Sequence, residues 1–323
     1  MDLFVEKEFI EEFELDYDCS DHKTEIQRIL HSVFTEFPGI RLFLNTPISF
    51  INDSRILSVF SDINLNITFE FDFESYFNSN PDPSFQTLVF TKDEKSWFPK
   101  LREKGALCFS YNDYEREIEK FINDTTFKVD LADEENIPIN WNIFQFLKQN
   151  SSLIIISDSY ILCDRDGQKI KNNLVPLLTK NLNKKTPYTI FVFTEARKED
   201  IESKVGFLNS ALNGYQVKLF VFNILPQFEN IDLHDRILYS NYTITDAGKG
   251  FNLYSRKPKN SQIVSASIFE KYTYKRFNNH LKELGKYIGK LEKSDHAAKP
   301  YKTNTKTAFE EFRKISFSQT TLQ

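Results

Sequence analysis

At 323 residues the chain exceeds the usual single-domain length, and 32 Phe and 14 Tyr against 9 Gly and 11 Pro exclude collagenous, low-complexity and largely disordered classes. No apolar run reaches the ~20 residues of a membrane span, Met1 to Glu14 alternates acids with Phe rather than reading as a leader, and Cys19, Cys108 and Cys163 lack CxxC spacing. The net charge of −5 conceals two opposed halves: residues 1–150 hold 14 Lys and Arg against 29 Asp and Glu, net −15, and residues 151–323 hold 27 against 17, net +10.

These features predict a cytoplasmic protein with free thiols, no metal and no other cofactor. In the acidic half, Asp21 or Ser20 caps a helix running through Phe34, with Ile26, Ile29, Leu30, Val33 and Phe34 on one stripe. Ile40–Leu44, Ile67–Phe73 and Phe85–Thr91 read as strands, residues 78–84 as a loop with two prolines, and Asn112–Asn123 as a helix. The Phe-rich alternation of residues 68–73, with acids between, reads as a half-buried strand. His22 and His31 have no metal-ligand or nucleophile partner at a meaningful spacing. Residues 1–148 therefore form an acidic, mixed α+β domain without a recognisable catalytic set.

In the basic half, Trp141–Gln149 is a short helix, and Ser152–Cys163 offers one long strand or two paired ones. Lys169–Lys180 has Ile170, Leu174, Leu177 and Leu178 at helical spacing, Thr189–Thr194 is a strand, Arg197–Asn213 a helix ended by Gly214, and Val217–Ile224 a buried strand. This alternation predicts a largely parallel sheet, with ligand sites beyond the carboxyl ends of its strands.

The next segment runs Leu233-His234-Asp235-Arg236-Ile237-Leu238-Tyr239-Ser240-Asn241, then Asp246-Ala247-Gly248-Lys249-Gly250-Phe251. On a strand, His234 and Arg236 project together toward one phosphate-sized volume. The segment resembles the phospholipase D superfamily, whose motif is His, any residue, Lys, four residues, Asp. By that resemblance His234 takes the place of the phosphate-attacking nucleophile, Arg236 that of the phosphate-binding Lys and Asn241 that of the Asp, so two of three positions are changed. More narrowly, it is similar to the phospholipase-D-like domain at the C-terminus of MIT-domain proteins of the ESCRT-linked abscission machinery. Those domains also read His-Asp-Arg, then a hydrophobic stretch with Asn, then a Gly-x-Gly turn ending in an aromatic residue. The likeness covers roughly residues 150–290, without an MIT-like helical hairpin upstream. It implies an α/β sandwich that keeps phosphate affinity, often dimerises and need not catalyse, with Arg236, Asn241 and Lys249 as phosphate ligands.

Catalysis in such a site needs a second histidine as general acid. His280 lies on a long helix and His296 in a polar tail, so a complete site requires His234 from two subunits. Asp235 and Asp246 are the stand-ins considered for the missing carboxylate. The long helix, about Ile268 to Lys293, repeats Phe277, Leu281, Leu284, Ile288 and Leu291, a seam for a dimer partner or for its own sheet, and carries many lysines. The domain so formed spans residues 149–293, and residues 294–323 form a polar, mobile tail with a short helix at Thr307–Ile315.

The expected function is a non-catalytic module that recognises a phosphate-bearing ligand, nucleic acid foremost. The alternatives are a dimeric, metal-independent phosphodiesterase or nuclease using His234, and a scaffold whose acidic half docks a basic protein partner; complementary charge packing alone also accounts for the two halves. Abundant Asn, Lys, Ile and Phe suggest AT-rich coding, and phospholipase-D-like proteins of this kind often sit in bacterial defence or mobile-element operons.

Overall fold

Asp2–Val5 buries all four of its residues and forms β1, the central strand of the first sheet. A strand covered on both faces needs a continuous run without polar alternation, and DLFV is such a run. It belongs to a computed structural model that describes residues 1–64, 66–130, 141–163, 167–195, 201–223, 236–248, 250–251, 262–293 and 305–317. The chain is α/β and divides into two units, one of Met1–Asp124 with Ser267–Arg276 and Phe317–Gln323, the other of Thr125–Ala266 with Phe277–Ser316.

In the first unit β1 is followed by α1 (Lys7–Cys19), α2 (Glu25–Glu36), β2 (Arg41–Leu44), α3 (Arg55–Ile63), β3 (Asn66–Thr68), α4 (Phe73–Asn78), β4 (Thr87–Thr91), α5 (Phe98–Glu103), β5 (Leu107–Ser110) and α6 (Tyr114–Thr125). The strand order is β3-β2-β1-β4-β5, and all four pairings are parallel. In the acidic half, expected to be mixed α+β, the sheet is parallel throughout. Helices cover both faces: Phe90 meets Phe9 and Phe34 on one, while Val89 joins Phe4, Phe73, Phe77 and Trp97 on the other.

Two local predictions shift for identifiable reasons. The first-half helix begins later than Asp21, because Thr24 and Gln27 form a reciprocal capping box, with bonds of 3.1 and 3.0 Å. The strand expected over Ile67–Phe73 stops at Thr68; Glu70 has φ 54°, and Asp72 caps α4 by accepting from the Ser75 N–H at 2.9 Å. Phe71 and Phe73 thus enter an aromatic cluster from a turn and a helix rather than from a strand.

The second unit begins earlier than the boundary expected after residue 148. β6 (Phe127–Asp130) pairs antiparallel with β12 (Gln262–Ser267), and Phe127 packs against Phe144 and Phe146 of a 3-10 turn over Trp141–Lys148. Between them lie β7 (Leu153–Ser157), α7 (Val175–Asn181), β8 (Tyr188–Thr194), α8 (Ile201–Ala211), β9 (Val217–Asn223), β10 (Ile237–Tyr239) and β11 (Thr243–Ala247). The seven strands order as β6-β12-β11-β10-β7-β8-β9. β7, β8 and β9 run parallel, as predicted, and β10 returns antiparallel beside β7.

The segment expected as a helix from Lys169 starts as a π turn, Ile170–Leu174, in which the Val175 N–H donates to the Ile170 carbonyl. Pro176 accounts for this, since a proline in the first turn of α7 lacks the N–H that would continue the regular ladder.

The long helix α9 (Lys271–Lys293) buries Phe277, Leu281, Leu284, Ile288 and Leu291 to 5% exposure or less, so its seam is covered within the chain rather than offered to a dimer partner. The tail expected to be mobile contains α10 (Thr305–Phe317), longer than predicted. Phe312 of α10 stands edge-on to Phe191, Phe193 and Phe222 of β8 and β9, at centroid distances of 5.1, 5.7 and 6.4 Å. Among the described residues no helix is long and apolar enough to cross a membrane.

Removing a fully buried aromatic ring leaves a cavity as well as losing its burial. Phe312→Ala should destabilise the second unit by about 3–5 kcal/mol, read as a lower urea midpoint for tryptophan fluorescence of Trp141.

Candidate functional site

The three parallel strands of the second unit end together at Ser157, Thr194 and Asn223, the edge at which open α/β sheets bind ligands. Arg236 opens β10 at this edge, where the register places Ile237 opposite Ser157. Its side chain is 21% exposed and fixed from three directions. The Nη1 group donates to the Gly248 carbonyl at 2.8 Å, the guanidinium lies 5.3 Å from the centroid of the Tyr160 ring, and Nε stands 3.9 Å from the Asp158 carboxylate. The last distance is Coulombic attraction beyond hydrogen-bond reach.

Asp158 organises this corner. It is 3% exposed, directly after β7, and its oxygens accept the N–H groups of Tyr160 at 2.9 Å and Phe251 at 3.2 Å. Burial pushes its carboxyl above the usual carboxylate range, opposed by those two N–H groups and by the charges of Arg236 and Lys169. Lys169 also donates to the Tyr160 carbonyl at 3.3 Å. Gly250 closes the corner at φ +92°, where an added Cβ would lie 2.7 Å from Asp158 Oδ2 and 2.9 Å from Arg236 Cδ. Both the backbone and the space there demand glycine.

Nearby on the same edge, the Ser159 hydroxyl donates to Glu195 at 3.0 Å, and the buried Lys204 ammonium donates to the Leu162 carbonyl at 2.7 Å. Residues 158–163 form a turn, not the continued or paired strand expected there. An acid inside the apolar run Leu153–Leu162 was the one sequence signal for Asp158, and it marks the end of β7.

Of the predicted site residues, Arg236 is at this edge, while His234, Asp235 and Lys249 lie outside the described residues. Asn241 is elsewhere. It sits in the turn between β10 and β11, fully buried, and its Oδ1 accepts the N–H groups of Ser152 and Leu153, each at 2.9 Å. Its Nδ2 donates to the Ser152 hydroxyl at 3.1 Å. The five residues of β7, roughly 16 Å of strand, separate that position from Asp158, so Asn241 is a clamp on the start of β7 and not a phosphate ligand beside Arg236. His280 bonds the Tyr239 hydroxyl at 2.7 Å, and His31 stacks on Tyr17 at 4.3 Å. Asp246 lies in β11, paired in register with Ile237.

In the first unit the corresponding edge is closed by its own charges. Glu6, after β1, accepts the Lys92 N–H at 2.9 Å and the Lys95 ammonium at 2.8 Å. These bonds join the ends of β1 and β4 next to the N-terminus of α1.

A scan against protein-family models and a search of curated proteins find no match to this chain.

Two substitutions separate the structural clamp from the charged corner. Asn241→Ala leaves the Ser152 and Leu153 N–H groups without their acceptor and should lower unfolding stability by about 1–3 kcal/mol for each, measured by urea denaturation. Asp158 has its carboxyl pKa raised by folding, so its contribution to stability is complete below the unfolded-chain value and is lost as pH rises through the raised one. The Tm of wild type minus that of Asp158→Asn should therefore fall as pH rises above about 4; a difference that grows with pH would refute the sign.

Proposed function

We propose that the second unit is a phospholipase-D-like recognition module that binds a phosphate-bearing ligand, nucleic acid foremost, without cleaving it. The observation that carries this reading is the Arg236 guanidinium, held partly exposed at the carboxyl edge of β7 by one Nη1 bond, with an aromatic ring 5.3 Å from it and a buried carboxylate beside it. A planar fork immobilised in this way keeps further N–H donors for two oxygens of one phosphate, and little side-chain entropy is lost on binding.

Two features favour binding over catalysis. The motif position that an acid would hold is Asn241, a neutral amide consumed by backbone bonds away from Arg236. Within one chain His280 is engaged by the Tyr239 hydroxyl, so a second histidine would have to come from another subunit. The second unit, Thr125–Ala266 with Phe277–Ser316, holds 26 Lys and Arg against 20 Asp and Glu, and its net charge of +6 supplies long-range attraction for a polyanion.

The test follows binding and cleavage together, with single- and double-stranded DNA, RNA and a phosphodiester reporter in EDTA. Arg236→Ala should weaken oligonucleotide binding and reduce the slope of log K against log salt by about 1, with no product from either protein. Product formation by wild type that disappears in His234→Ala would replace this reading with a dimeric phosphodiesterase.

A further inference from the structure

Tyr160 is 44% exposed, although a large aromatic ring gains by burial and many of this unit's rings, Trp141, Tyr188, Tyr239 and Tyr242 among them, are buried. Its exposure is not slack in the backbone. The Tyr160 N–H is held by Asp158 at 2.9 Å and its carbonyl by the Lys169 ammonium at 3.3 Å, so the ring stands on a pinned turn. The guanidinium of Arg236 lies against the ring at 5.3 Å from its centroid. A phosphate clamp and an open aromatic surface are thus fixed side by side.

We infer that Tyr160 and Arg236 form a composite subsite for single-stranded nucleic acid, in which Arg236 takes a backbone phosphate and Tyr160 stacks the adjacent unpaired base. This rests on the phosphate-binding reading of Arg236 and adds the class of ligand. A lipid headgroup or inorganic phosphate offers no planar face to the ring. A duplex keeps its base faces stacked on one another, so it presents phosphates to Arg236 but nothing to Tyr160. Lys169, whose ammonium bonds the Tyr160 carbonyl, adds positive charge beside the subsite. Because every base has a π-face, the subsite selects strandedness rather than sequence.

The experiment uses the full chain and fluorescence anisotropy with an oligothymidylate of about 12 residues, within the usual span of single-strand sites. Its comparison probes are an abasic phosphodiester strand of the same length, the matching duplex, and thymidine monophosphate as competitor. The oligothymidylate should bind about 5- to 150-fold more tightly than the abasic strand, the range that stacking of one base supplies. Tyr160→Leu should erase that preference, lowering oligothymidylate affinity further than it lowers abasic affinity, and Tyr160→Phe should retain it. Equal weakening of both strands by Tyr160→Leu would mean that the ring only props Arg236, and the inference would be lost while phosphate binding stood. Duplex or monophosphate binding as tight as that of the oligothymidylate would also overturn it. Abasic binding unchanged in Arg236→Ala would remove the phosphate reading itself, and this subsite with it.

Discussion

The buried carboxylate of Asp158 is the constraint on which the geometry at the carboxyl edge of the second unit's parallel strands depends. Taking an acid out of water costs several kcal/mol unless hydrogen bonds and opposite charge replace its hydration. Here the replacements come from three separate segments: the turn after β7 through Tyr160, the glycine turn through Phe251, and β10 through Arg236. Segments far apart in sequence are therefore held in one geometry by the requirement to solvate one group. Gly250 follows from the same requirement, since any side chain at that position would displace either the acid or the arginine.

The two units use the same end of their parallel strands in opposite ways. In the first, Glu6 draws in the Lys92 N–H and the Lys95 ammonium, and the charges at the ends of β1 and β4 satisfy one another. In the second, the acid is sunk below the surface and the cation stands partly above it, so Arg236 keeps hydrogen-bonding capacity directed outward. Strand order alone would mark both edges as ligand sites; the side chains there distinguish them.

Asn241 shows why a motif position has to be read in its surroundings. An amide both accepts and donates, and this one accepts two backbone N–H groups while donating to the Ser152 hydroxyl. A carboxylate could accept the same N–H groups but could not donate to that hydroxyl, and it would bring a full charge into a site with no cation among these partners. The Asn is thus matched to a structural task at the beginning of β7.

Sequence by itself determined the elements whose periodicity is long or whose apolar runs are continuous. The parallel strands Thr189–Thr194 and Val217–Asn223, the buried stripe of α9 and the placement of Arg236 beside a strand are legible in this way, because local pattern and burial agree there. Tertiary structure decided what short segments become. DLFV at residues 2–5 is too brief for a periodic signal, and it is a central strand because β2 and β4 pair with it on either side. The phenylalanines of residues 69–73 alternate like a strand, yet the Glu70 turn and the Asp72 cap end that strand, and Phe71 and Phe73 join an aromatic cluster. α10 folds as part of the second unit because Phe191, Phe193 and Phe222 present an apolar face for it to cover. The site followed the same division. Arg236 was visible as a residue type at a strand start, whereas Asp158, Tyr160 and Lys169 acquire their roles from distances across the sheet edge, which no local spacing encodes.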